Sequence, residues 1–256
     1  MAAWHRIAPI DRLRRSGAVT AWPRAQAARI RRAGADTSRV VERVLAGVSD
    51  RSKLRKIWRG AAPLVLASTS PTRKDLLASA GLAVEAVAPE VDERAVEAQA
   101  AGLAPAELAL HLAAAKAEAV ARRMPGRVVV GADQVLACEG TVFHKPADAK
   151  AAAAHLGRLQ GRTHALHSAV ALFAADATET FCETAHLAMR PLDAGQIAAY
   201  IALAGEARVA ASVGAYQLES FGIHLFERIE GDHATILGLP LLPLLARLRG
   251  RGELAF

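Results

Sequence analysis

Cysteine is scarce: only Cys138 and Cys182 occur in 256 residues, 44 positions apart and with no CxxC spacing. That excludes a disulfide scaffold and a thiolate zinc knuckle, and both read as buried, reduced thiols of a cytoplasmic protein. Aromatics are equally sparse at 4%, and no aromatic-stacking motif accompanies the basic residues. No uncharged apolar run reaches membrane-spanning length, so neither a transmembrane helix nor a membrane partner is expected. The 19 glycines have no period, which excludes a collagen-like chain. There is no fixed-period repeat, no G-x-G-x-x-G, no P-loop and no G-x-S-x-G. His144, His164 and His167 form no metal-ligand spacing and read as structural residues.

What remains is an apolar fraction of 52%, enough for a real core in one large or two small domains. Charge is unevenly spread. Residues 1–60 hold 15 Lys+Arg against 4 Asp+Glu, or +11, whereas the other 196 residues hold 17 against 21, or −4. The chain therefore divides into a basic extension, 1–60, and a mildly acidic body, 61–256. The extension lacks a continuous apolar stretch, so it is not a secretory signal. From Thr37 its valines and Leu45 fall on one helical stripe. It is either a solvated or loosely docked segment, partly helical or disordered, or an arm that touches nucleic acid, membrane or a partner. The charge of the body gives no reason to expect nucleic acid there.

The body alternates strand and helix patterns, then runs strands consecutively. Strands are expected at 64–67, 84–87 and 127–131, a hairpin at 136–143, and strands at 163–173, 178–189, 215–218 and 223–229. Helices are expected at 73–80, 105–123, 148–159, 193–203 and 240–248, with a loop over 88–93. This pattern predicts an α/β fold around a mixed twisted sheet.

Four constellations can carry chemistry. In Ser68-Thr69-Ser70-Pro71-Thr72-Arg73-Lys74 a strand feeds a helix, where free backbone N–H groups, Ser70 and the Arg73 fork suit phosphate; simple capping by Ser70 is the alternative. Glu90, Asp92 and Glu93 cluster on a loop and suit a hard cation, or only solvent. Asp133 follows three valines at the expected end of a buried strand, where a carboxylate is costly unless paired or metal-bound. Lys116 and Lys145 could neutralise a polyphosphate, though each alone is ordinarily a surface residue.

In order along the chain, Leu66-Ala67-Ser68-Thr69-Ser70-Pro71 with Arg73, Val91-Asp92-Glu93, Ala114-Ala115-Lys116-Ala117, Gly131-Ala132-Asp133 and Lys145-Pro146 resemble the Maf family of nucleoside triphosphate pyrophosphatases. Gly161-Arg162-Thr163-His164, Gly214-Ala215-Tyr216, Gly231-Asp232 and Leu237-Gly238-Leu239-Pro240 continue the likeness, which spans about residues 63–250. The resemblance implies a two-lobed fold similar to inosine triphosphatase, and hydrolysis of a nucleoside triphosphate to the monophosphate and pyrophosphate with a divalent cation such as Mg²⁺ or Mn²⁺. It implies Asp133 as the water-activating base, Glu93 and Asp133 as metal ligands, and Ser70, Arg73, Lys116 and Lys145 as phosphate ligands. Thr72, Gln134 and Glu219 match the positions associated with base choice. Thr72 replaces the Arg, and Glu219 the Gln, of the dTTP/UTP-type branch, so the chain is closer to the 7-methyl-GTP-type branch. The resemblance leaves room for a homodimer, and for a second role as a nucleotide-binding regulator of septum formation.

Overall fold

A computed structural model describes residues 57–174 and 177–256. The expected helical stripe from Thr37 lies outside these residues.

One seven-stranded mixed sheet organises the body. Its strands are β1 (Leu64–Ala67), β2 (Val84–Ala86), β3 (Val129–Cys138), β4 (Thr141–Phe143), β5 (Thr163–Ala174), β6 (Ala177–Met189) and β7 (Phe226–Glu230). The order is β2-β1-β3-β5-β6-β7, with β4 paired to β3. β1 runs parallel to β2 and β3, and the remaining pairs are antiparallel. The helices are α1 (Pro71–Ser79), α2 (Glu93–Gln99), α3 (Pro105–Ala121), α4 (Ala149–Leu159), α5 (Ala194–Ala204), α6 (Glu206–Ala210), α7 (His233–Ile236) and α8 (Leu241–Gly250).

Strand alternation divides the core. Leu66, Val130, Ala132, Val170 and Leu172 face one side, with Leu77, Leu244 and Leu248 from helices α1 and α8. Ala169, Ala171 and Val135 face the other, against Ala109, Leu112, Ala113 and Ala117 of α3. The far ends of the long strands carry a second core, where Leu136, Leu166 and Leu187 meet Leu156 of α4 and Ile197 of α5. These packing centres share one sheet flanked by helices.

The small residues of α3 set how closely it lies on β3. A Cβ at Gly131 would fall 2.2 Å from the Ala113 carbonyl oxygen and 2.7 Å from the Ala117 nitrogen. Only glycine permits that approach, and it brings Lys116, beside Ala117, down to the strand.

Several elements differ from the sequence expectation. The strand at 127–131 and the first arm of the hairpin are one strand, β3, so Asp133 sits mid-strand, paired with Ala169, not at a strand end. The logic of the strand end survives on the neighbour: β1 stops at Ala67, opposite Gly131, and the site opens just beyond it. The loop expected over 88–93 ends in helix α2, which Asp92 caps by accepting from the Ala95 N–H. The expected strand at 215–218 is an irregular turn with Ala215 at φ 58°, and 221–225 is a 3-10 turn leading into β7. A Cβ at Gly222 would lie 2.4 Å from the Gln217 carbonyl oxygen, a closeness that extended pairing does not produce. Helices α6 and α7 have no counterpart in the sequence expectation.

Ile57, Trp58 and Arg59, which composition groups with the basic extension, belong to this body. Trp58 bridges Leu254 in antiparallel fashion, is buried, and donates its indole N–H to the Ala62 carbonyl at 2.7 Å. Both cysteines are free; Cys138 is buried, whereas Cys182 is only half-buried on β6.

Candidate active site

A cleft of about 1080 Å³ opens beyond the end of β1, between the Ser68–Arg73 turn, α2, β3 and the 210–219 segment. Ser70, Thr72, Arg73, Glu93, Lys116, Asp133, Gln134, Lys145 and Glu219 all line it. Residues spread over 150 positions of sequence thus converge on one site. Lys74, Glu90 and Asp92 do not line it. Lys74 is exposed, Glu90 pairs with Arg123 at 2.9 Å, and Asp92 is spent on its helix cap.

The floor is an ionic triad. Lys116, 6% exposed, places Nζ 2.5 Å from Asp133 Oδ1 and 2.8 Å from Glu93 Oε1. A buried carboxylate requires such a partner, because removal from water otherwise costs several kcal/mol or more. Glu93 reaches the site because the Asp92 cap starts α2 at that residue.

Another wall of the cleft is built at the start of α1. Pro71 at the first helical position fixes the turn, and Ser70 Oγ accepts from the Arg73 N–H at 3.4 Å. The Arg73 side chain is clamped to the backbone. Its Nε donates to Gly238 O at 2.8 Å, and its Nη1 donates to Ala132 O at 3.0 Å and Ser68 Oγ at 3.3 Å. Nη2 has no hydrogen-bond acceptor among the described residues, which leaves two donors of a pre-oriented fork for a ligand. Burial pushes the Arg73 pKa down, while Asp133 and Glu93 oppose that shift; a guanidinium remains charged regardless.

Gln134 is less free than its neighbour. Its Nε2 donates to Ser168 Oγ at 2.9 Å, Thr235 O at 3.2 Å and Ile236 O at 3.0 Å, tying β3 to α7. Three acceptors fix the orientation of the amide and leave Oε1 as its spare atom. Lys145 and Glu219 are exposed where they line the cleft. The Gly238 carbonyl that clamps Arg73, and Arg94 beside Glu93, also belong to the cleft region. The first was visible only as part of the Leu237–Pro240 stretch, and the second carried no pattern at all.

Among the described residues no group of three His, Cys, Asp or Glu side chains is assembled for a metal, and no helix is long and apolar enough to cross a membrane. Two carboxylates with room for phosphate oxygens and water suit Mg²⁺, which takes one or two carboxylates plus substrate phosphates instead of an all-protein cage.

The fold and cleft define an α/β protein whose cleft gathers Arg73, Lys116 and Lys145 with the carboxylates of Glu93 and Asp133. The chain belongs to the Maf-like protein family, whose model matches residues 63–251. It is 52% identical over 201 residues to a protein of Nitrobacter hamburgensis named nucleoside triphosphate pyrophosphatase, covering 78% of this chain and 98% of that one. It is 53% identical over 195 residues to a 7-methyl-GTP pyrophosphatase of Mesorhizobium japonicum, covering 75% and 97%. A protein of the same name from Rhizobium johnstonii is 52% identical over 195 residues, covering 75% and 97%.

Proposed function

We propose that this chain is a nucleoside triphosphate pyrophosphatase, a hydrolase acting on the acid anhydride between the α- and β-phosphates and releasing the monophosphate and pyrophosphate. The observation that carries the reading is the meeting of the Asp133–Lys116–Glu93 triad with the clamped Arg73 in a single cleft. Asp133 orients a water molecule and takes its proton as the water oxygen attacks the α-phosphorus. The anhydride bond breaks and pyrophosphate leaves with the bonding pair. Arg73 Nη2, Ser70, Lys145 and Lys116 stabilise the charge that builds on the phosphates. Glu93 and Asp133 are the residues that would hold a divalent cation, which supplies further neutralisation of phosphate oxygens. A regulator that only binds nucleotide would need no buried, lysine-paired carboxylate at the phosphate end.

The relatives carry two names at the same identity, so base choice is read from the cleft. Glu219 presents a carboxylate, and Gln134 keeps only an acceptor free. Acceptors match the N1–H and N2–H₂ edge of guanine, and a carboxylate favours the cationic 7-methylated base. The substrate is therefore a modified guanine triphosphate resembling 7-methyl-GTP, whose removal clears an aberrant nucleotide. Pyrophosphate release across a panel of natural and methylated triphosphates, with Mg²⁺ or Mn²⁺ present, tests this. Turnover highest on 7-methyl-GTP is the expected result; no turnover on any triphosphate contradicts it.

A further inference from the structure

The stretches Thr163-His164 and Gly214-Ala215-Tyr216 are assigned no part in the chemistry above, yet they meet beneath the base-reading rim. His164, at the start of β5, is 1% exposed, and its Nε2 lies 2.7 Å from the Tyr216 hydroxyl. Its Nδ1 is buried with no hydrogen-bond partner among the described residues. A leucine, as at Leu166 two positions on, would fill this core without stranding a polar atom, so the ring costs stability that apolar packing would not. Its one polar contact among the described residues is Tyr216. Burial holds the His164 pKa down at about 4, so the ring is neutral and its bond to the phenol is stable across the physiological range.

Tyr216 in turn is tied to the segment that precedes it and to β7. Its ring packs edge-on against Phe226 with centroids 4.8 Å apart, and its carbonyl accepts from Ser212 Oγ at 2.6 Å. The ring sits so close to Gly214 that a Cβ there would lie 2.3 Å from it. Ala215, between them, takes a left-handed φ of 58°, a conformation that an alanine holds only when its surroundings impose it. Three residues after Tyr216 comes Glu219, exposed on the cleft rim.

We infer that the His164–Tyr216 hydrogen bond is a positioning device that holds the Gln217–Glu219 segment at the height where it reads the base. This rests on the proposed role of Glu219. Neither His164 nor Tyr216 touches the reacting phosphate in this account; they act through the backbone of the turn. Their loss therefore acts on nucleotide affinity and discrimination, not on the chemical step.

Two readouts test the inference on the full chain. The first is hydrogen exchange of residues 213–219 in nucleotide-free protein, for wild type, Tyr216→Phe, His164→Leu and His164→Gln. The second is kcat and KM measured separately for 7-methyl-GTP and UTP. Tyr216→Phe keeps the ring on Phe226, so the fold is expected to persist, and unchanged exchange in β5 confirms that. The expected result is faster exchange in 213–219 and a KM for 7-methyl-GTP about tenfold higher with kcat within twofold, the size expected for one buried hydrogen bond. His164→Leu behaves the same way, while His164→Gln, which can still bond the phenol, recovers most of the wild-type behaviour. Unchanged exchange in 213–219, or a fall in kcat with KM unmoved, overturns the positioning role. A wild type that hydrolyses no triphosphate counts against the proposed function alone, because exchange still decides whether the pair orders the turn.

Discussion

Gly131 and Ala117 lie in direct contact, close enough that a Cβ on Gly131 would sit 2.8 Å from that of Ala117. This approach sets the depth of α3 on the sheet and hence the reach of Lys116, one residue away, to Asp133, two residues along the strand. The geometry of the ionic floor is thus decided by a residue with no side chain.

Gly131→Ala is expected to push α3 away from β3 and to lower stability by about 1–3 kcal/mol, the usual effect of overpacking. Turnover should fall further than stability implies, because Lys116 and Asp133 separate. Chemical unfolding beside kcat on the folded variant checks this, and a variant with wild-type stability and turnover contradicts the packing argument.

Glu219→Gln is expected to reduce discrimination between 7-methyl-GTP and UTP by about tenfold in relative kcat/KM, since it removes a charge-assisted contact but leaves the phosphate site intact. The ratio of kcat/KM for the two nucleotides in wild type and variant is the measurement. An unchanged ratio means that Glu219 does not read the base.

Much of the site was legible because its residues lie in short, distinct strings whose types match phosphate chemistry. Ser70, Arg73, Lys116, Asp133 and Lys145 could be singled out before their separation in space was known. The strand containing Asp133 was misjudged because Gly131-Ala132 reads as a break, whereas here glycine answers the closeness of α3. The strand expected at 215–218 is likewise a turn. Its apolar residues look like a strand, but Ala215 is left-handed and Gly222 closes tightly on the Gln217 carbonyl, a turn geometry that alternation of apolar residues does not reveal. The clamp of Gly238 on Arg73 spans 165 positions, and the tie from Gln134 to α7 about a hundred. Neither leaves a periodic trace.

Where the body begins is open to a deletion series. A chain lacking residues 1–56 is expected to keep its fold and activity, since Trp58 and the site remain. Extending the deletion to residue 60 removes the buried Trp58 and its pairing with Leu254, with an expected loss of about 3–5 kcal/mol. Thermal unfolding and turnover of the two deletions check this; an inactive but folded 57–256 chain would show that the extension completes the site.

Acid should weaken the fold through His164. Its folded pKa of about 4 lies below the ordinary value of 6.5, so between those pH values the unfolded chain binds a proton that the folded chain does not. Stability is therefore full above about pH 6.5 and is lost as pH falls toward 4, by about 3 kcal/mol for this residue. His155 and His167 are lowered by burial too and act in the same direction. Urea unfolding at several pH values should show a shallower acid slope in His164→Gln than in wild type, and equal slopes would contradict the assignment.

The most direct test of the central claim is turnover of 7-methyl-GTP in ¹⁸O-labelled water by wild type and Asp133→Asn, with the products weighed by mass spectrometry. The account predicts one labelled oxygen in the nucleoside monophosphate, unlabelled pyrophosphate, and a rate for Asp133→Asn lower by about 10²–10⁴ in a folded protein. Label in pyrophosphate or in free phosphate, or an Asp133→Asn variant that turns over at the wild-type rate, would contradict it.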